Sequence, residues 1–225
     1  MRRLSRGAEP PTRSTKARSA RWGMRRRAER RSWQARGSRH RVRVVRTVSL
    51  GPVSAAASRA APIGAIPLYR STVDLVQLAR STLEPLEREA RSLDVTLSID
   101  SLVSLDSVSV DPEKMAWVIA TLAGNALRYV RRGSRRLPGG DIVVRLCRDE
   151  AGKTVTISVE DDGPGIPADK LPFLFERQAG SQHAVGLGLT LVKDIVVAHG
   201  GNVKVDSSTD HHAHGTTVRV TLPTT

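Results

Sequence analysis

From Ser71 onward the hydrophobic period switches repeatedly between that of a helix and that of a strand, and this alternation constrains the fold most. Val73, Leu75, Val76, Leu78, Ala79, Leu83 and Leu86 form a helical stripe, with Pro85 expected to kink that helix or end its first half. Val95–Ile99 alternates as a strand, and Val108–Val110 continues that trend. Asp111-Pro112 reads as a helix start, an Asp N-cap with proline at the first helical position. The helix runs to about Val130 and buries Met115, Val118, Ile119, Leu122 and Ala126. Asp141–Arg148 and Thr154–Glu160 predict a hairpin around Ala151-Gly152. A helix from about Leu187 to His199, stopped by Gly200-Gly201, precedes two final strands, Val203–Asp206 and Thr216–Leu222. The expected fold is α/β (α+β), a two-layer sandwich of a mixed, largely antiparallel sheet and about three helices.

Charge divides the chain. Residues 1–50 hold 17 Lys and Arg against Glu9 and Glu29, a net of +15, while the remainder carries −1. The overall +14 of the 225 residues therefore describes a basic N-terminal region and says nothing of the partners of the rest. Residues 1–49 are expected to be a disordered basic region, 50–70 a Pro/Ala/Gly/Ser linker, and 71–225 the folded domain. A nucleic-acid-binding arm, with Trp22 and Trp33 stacking on bases, is the sharper reading of the first segment. A single cysteine, Cys147, excludes an internal disulfide and points to a reducing cytoplasm. No apolar run is long enough to span a membrane.

Four segments carry candidate chemistry. Thr121, Asn125, Arg128 and Tyr129 share one helix face, where an amide oxygen can ligate Mg²⁺ and a guanidinium can neutralise phosphate. Taken alone, Asn125 reads more readily as a solvated or capping residue. Asp161-Asp-Gly163-Pro-Gly165-Ile166-Pro167 puts a carboxylate at a strand end before glycines that let backbone approach a flat ligand. Leu174-Phe175-Glu176-Arg177 is a short apolar anchor before a flexible stretch, with core packing of Phe173 and Phe175 as the plainer alternative. Gly186-Leu187-Gly188-Leu189 opens a helix, whose unpaired N–H groups suit phosphates.

In order and spacing these segments resemble the N, G1, F and G2 boxes of the sensor histidine kinase catalytic domain, a relative of the gyrase B, Hsp90 and MutL ATPases. The resemblance covers about Ser71–Pro223, including Ala198-His-Gly-Gly201. It implies a Bergerat-type ATPase fold that binds ATP and Mg²⁺. It also implies Asn125 as the Mg²⁺ ligand, Arg128 on the phosphates, Tyr129 beside the nucleotide and Asp161 on the adenine amino group. Gly163, Gly165 and Ile166 would shape the base side, Phe175 would anchor the lid, and Gly186, Leu187, Gly188 and Leu189 would face the phosphates. The lid would span about Glu176–Val185.

The sequence departs from the family at several points. Thr121 stands where an Asn or acid is common, Gln178 replaces the second Phe of the F box, and Ala184 replaces the first glycine of the G2 box. No dimerisation segment with a phosphorylatable histidine is evident, and His40 is the only histidine ahead of the domain. The expected function is therefore the ATP-binding module of a two-component histidine kinase, donating phosphate to a histidine on another chain. Its partners would be a phosphoacceptor histidine domain or a response regulator. Alternatives are a protein-serine kinase of the anti-sigma-factor type, a degenerate ATP-binding module, or a non-enzymatic protein whose basic tail binds nucleic acid. His211, His212 and His214 form either a metal cluster or a solvated loop.

Overall fold

The computed structural model describes residues 48–50, 66–101, 105, 107–134, 137–176, 187–211 and 213–224. Its elements are β1 (Val48–Leu50), β2 (Ser71–Val73), α1 (Leu75–Ser92), β3 (Thr96–Ser101), β4 (Val108–Val110), α2 (Pro112–Tyr129), β5 (Asp141–Arg148), β6 (Thr154–Asp161), a 3₁₀ turn at Leu171–Phe173, α3 (Leu187–Ala198), β7 (Asn202–Ser208) and β8 (Gly215–Pro223). One six-stranded sheet has the order β1-β7-β8-β6-β5-β3, and a separate two-stranded sheet pairs β2 with β4. Among the described strands only β3 and β5 run parallel, and every other pair is antiparallel. The expected mixed, largely antiparallel sandwich with three helices is what forms.

Register explains the core. Val205, Val218, Val159, Val144 and Ile99 align across five strands, and Val203, Val220, Ile157 and Leu146 form the next apolar row. Because side chains alternate across a strand, these rows share one sheet face. Leu75, Ala79 and Leu83 of α1, Met115, Ile119 and Leu122 of α2, and Val192 and Val196 of α3 join them in a single buried cluster. The core is aliphatic, as the 3% aromatic content requires, and Phe175 is the one aromatic buried among the described residues. The opposite face is polar. There Arg145 pairs with Glu160 and reaches Asp100 at 3.7 Å, and Arg219 pairs with Asp206. These pairs are substantially exposed and add little stability.

Four local expectations change. Ser71–Val73 is a strand rather than the start of the first helix, because Asp74 caps that helix by accepting the N–H groups of Val76 (2.9 Å) and Gln77 (3.1 Å). Pro85 does not end α1, which continues to Ser92; the proline sits on the exposed side, and the buried residues of the stripe continue from Leu83 to Ala90. Val108–Val110 does not extend β3 but pairs with β2. Ahead of residue 71, Val48–Leu50 adds a strand to the β7 edge.

A buried polar clamp fixes α2 against α3. His199 is 1% exposed; its Nε2 accepts the Asp111 N–H at 3.0 Å, and its Nδ1 donates to the Ile195 carbonyl at 2.8 Å. The Asp111 carboxylate in turn accepts the N–H of Tyr69 (2.9 Å), the N–H of Lys114 (3.1 Å) and the Lys114 ammonium (2.8 Å). Arg70 donates to the His199 carbonyl at 3.0 Å. Burial alone would raise the Asp111 carboxyl, yet Lys114 and the N–H donors outweigh it and hold the group at about 2.

Candidate functional site

Helix α2 presents two kinds of surface. Asp111 and Pro112 set its start, and Met115, Val118, Ile119, Leu122 and Ala126 bury one stripe. The neighbouring stripe of Thr121, Gly124, Asn125 and Arg128 lines a cleft of about 570 Å³ together with Gly188 and Leu189 of α3. Thus three of the four expected α2 residues meet two of the expected α3 residues. Thr121 lies close to α3: a Cβ on Gly188 would lie 3.3 Å from its methyl. The other wall comes from Leu86 and Glu89 of α1 and from Leu93 just after it, which the motifs did not indicate. No periodicity or spacing in α1 marks them as cleft residues.

Tyr129, one residue beyond Arg128, opens onto a second cleft of about 700 Å³. It shares that cleft with Asp162, Gly163 and Pro164, and with His211 and His214 from the turn between β7 and β8. The last turn of α2 therefore joins both clefts, phosphate-type residues on one side and the carboxylate–glycine loop on the other.

That loop is held from several directions. Asp161 ends β6, in register with Ile142 and Thr216. Its Oδ1 accepts the Gly163 N–H at 2.9 Å. Burial pushes the Asp161 carboxyl up to about 6, against the lowering effect of N–H donors from Gly163 and Thr216, and the charges of Asp162 and Glu160 push the same way as burial. Asp162 accepts the Asp141 N–H at 2.9 Å, anchoring the loop to β5. Ser207 accepts the Ile166 N–H at 2.8 Å, and His214 Nδ1 donates to the Gly163 carbonyl at 2.8 Å. Gly165 has φ +75°, and a Cβ there would lie 1.9 Å from the Ser208 carbonyl oxygen, so only glycine fits.

Phe175 lies in the core at 4% exposure and lines neither cleft, whereas Phe173 is 53% exposed; of the two, only Phe175 packs inside. Thr190 of α3 donates to the Phe175 carbonyl at 3.4 Å, tying this segment to the helix that carries Gly188. Leu187 begins α3. Gly186, Arg177, Gln178, His183 and Ala184, and with them nearly all of the expected lid, lie outside the described residues, as do His40, Trp22, Trp33 and His212. Among the described residues, no group of three or more His, Cys, Asp or Glu side chains could hold a metal ion, and His214 is engaged with the Gly163 carbonyl instead. Among those residues, no helix is long and apolar enough to cross a membrane.

A two-layer sandwich with a carboxylate–glycine loop at one strand end and a glycine-opened helix facing an Asn- and Arg-bearing helix defines a nucleotide-binding module of the Bergerat type. Residues 110–225 match the family described as histidine kinase-, DNA gyrase B-, and HSP90-like ATPase, and the chain belongs to that family. Sensor histidine kinase ZraS of Escherichia coli strain K12 is 31% identical over 69% of this chain and 31% of its own length. Adaptive-response sensory kinase SasA of Synechococcus elongatus is 32% identical over 65% of this chain and 36% of its own. The chain thus spans about a third of these curated relatives. Among solved structures, the mycobacterial sensor histidine kinase MprB superposes with a TM-score of 0.57 at 28% identity, covering 69% of this chain and 97% of that one. Full-length ShkA in complex with AMPPNP gives 0.61 at 25% identity, covering 71% and 32%. What the chain shares with these proteins is the ATPase-type domain that the family model describes.

Proposed function

We propose that residues 71–225 are the catalytic module of a two-component sensor histidine kinase, which binds Mg·ATP and donates the γ-phosphate to a histidine on another chain. The observation that carries this reading is the junction at the end of α2. There Asn125 and Arg128 face one cleft and Tyr129 the next, beside the Asp161–Gly165 loop. Four residues of helix span about 6 Å, a distance suited to passing from the base side of a nucleotide to its phosphates.

In this reading Asp161 accepts from the adenine amino group, and Tyr129, Gly163, Gly165 and Ile166 bound the base. Phe175 anchors the segment that leads into the lid. Gly186, Leu187, Gly188 and Leu189 lie along the phosphates, where the first turn of α3 offers N–H groups with no helical partner. Arg128 neutralises phosphate charge. Asn125 supplies an amide oxygen, a hard donor that fits Mg²⁺, an ion that characteristically keeps waters and phosphate oxygens as its other ligands. The ion supplies charge neutralisation at the phosphates. The protein's own contribution is position and preorganised charge. The single cysteine fits a cytoplasmic setting, and the partner would be a phosphoacceptor histidine domain or a response regulator.

A binding-only module is favoured by one feature. Thr121 has no carboxylate and turns its methyl toward Gly188, so it offers no general base. The chain is incubated with γ-labelled ATP and a histidine phosphoacceptor domain. Acid-labile phosphate on that domain supports the kinase reading. Acid-stable phosphate on serine indicates the anti-sigma-factor type, and binding without transfer indicates the binding-only module.

A further inference from the structure

We infer that His214, in the turn between β7 and β8, is a positioning residue for the base side of the nucleotide site; this rests on the nucleotide-binding reading above. Its Nδ1 lies 2.8 Å from the Gly163 carbonyl oxygen. A carbonyl only accepts, so Nδ1 carries the proton. The bonded carbonyl belongs to the peptide that enters Pro164, and the N–H of the same Gly163 is held by Asp161 at 2.9 Å. Gly163 is therefore gripped on both flanking peptides, by the proposed base-reading carboxylate on one and by His214 on the other.

The surrounding contacts make this grip specific. Beyond the ladder contact of Thr216 with Asp161, the β7–β8 hairpin meets the loop through His214 at Gly163, the Ser208 carbonyl against Gly165, and Ser207 at Ile166. The last two hold the far end of the loop from the body of the strands. At the near end the β8 backbone meets Asp161 through Thr216, while His214 brings a side chain to Gly163, and that side chain is exposed on the wall of the cleft that holds Tyr129, Asp162 and Pro164. Without the imidazole N–H, the Gly163-Pro164 peptide has water as its partner and is free to swing. The Asp161 carboxylate would then keep its Thr216 donor but lose the fixed Gly163 N–H, and with it part of its aim toward the base. Among the described residues His214 lines the cleft of Tyr129 and not that of Asn125 and Arg128, so its effect is expected on the base side.

The full chain is titrated with Mg·ADP by calorimetry as the natural protein, as His214→Leu and as His214→Asn. Asparagine places an N–H donor at the reach of Nδ1, whereas leucine fills the space without one. Losing one neutral hydrogen bond predicts affinity weaker by about fivefold in the leucine variant, recovered to within about twofold by asparagine. The thermal midpoints of all three should agree closely, which a purely structural role would not produce. Equal affinities across the three, or an asparagine variant as weak as the leucine one, overturn the inference while nucleotide binding stands. Absence of Mg·ADP binding by the natural protein overturns the nucleotide reading and this inference together. Should the leucine variant fail to fold, ¹⁵N resonances of the natural protein's imidazoles above pH 8 decide the matter. The inference requires His214 to be protonated at Nδ1, and protonation at Nε2 contradicts it.

Discussion

The imidazole of His199 accepts the backbone N–H of Asp111 at 3.0 Å, joining the end of α3 to the start of α2. Both residues are almost fully buried. His199→Leu leaves a buried N–H with no acceptor and is expected to cost about 2–3 kcal/mol. His199→Gln, with an amide oxygen at the reach of Nε2, should recover most of it. Urea unfolding of the three proteins measures this, and a leucine variant as stable as the parent contradicts the clamp.

The same residue gives a pH dependence. Burial holds the His199 imidazole below its ordinary 6.5, with the Arg70 and Lys114 charges acting in the same direction. Above pH 6.5 folded and unfolded chains both carry it neutral. Below that, the unfolded chain takes up a proton that the folded chain refuses, so acidification destabilises the fold. His199→Gln removes this contribution, so its stability should fall less than that of the parent between pH 7.5 and about 6. Asp161 acts oppositely in the acid range, because its raised carboxyl binds a proton in the folded chain first. That contribution is common to both proteins and cancels in the comparison. Identical slopes would contradict the buried neutral imidazole.

Two glycines should respond in opposite senses to alanine. Gly124 lies within α2 with nothing within 4 Å of an added Cβ, so Gly124→Ala should stabilise by about 0.5–1 kcal/mol through helix propensity. At Gly165, positive φ and the Ser208 carbonyl at 1.9 Å oppose any Cβ. Gly165→Ala should therefore destabilise by more than about 1 kcal/mol and weaken nucleotide binding, since the loop must move. Thermal unfolding read beside binding separates the two.

Much of this was legible in the residues, for identifiable reasons. Asp111-Pro112 marks the start of α2 because capping is local chemistry, and the valine alternation in β5 to β8 marks strands because one sheet face is buried. Asn125, Arg128 and Gly188, singled out from their motifs, line one cleft. Contacts between distant segments were not legible. Glu89 reaches the cleft through the packing of α1 on α2, and His214 reaches Gly163 across 51 positions of sequence. The Ser71–Val73 strand was hidden because its partner, β4, also looked like an extension of β3. Pro85 misled because a proline on the exposed side of a helix removes one hydrogen bond without unseating the buried stripe.

Asn125→Ala should separate the two sides of the site. The amide oxygen is the proposed contact to Mg²⁺, so the variant should lose most of the enhancement that Mg²⁺ gives to ATP binding while retaining metal-free binding within about threefold. Paired titrations with Mg²⁺ and with chelator measure this. An undiminished Mg²⁺ effect would move the metal contact to other residues.

The central claim is tested most directly by titrating Mg·ADP and Mg·GDP into the full chain and its Asp161→Asn variant at pH 7.5. Asp161 sits half-buried at the end of β6 with its carboxyl raised to about 6, so at this pH it is an ionised acceptor. The account predicts saturable Mg·ADP binding that exceeds Mg·GDP binding. It also predicts at least a tenfold loss of Mg·ADP affinity in the variant, since a charged two-oxygen acceptor is replaced by a neutral amide with one acceptor oxygen and a competing donor. No Mg·ADP binding by the parent, or a variant that binds as tightly as the parent, would contradict it.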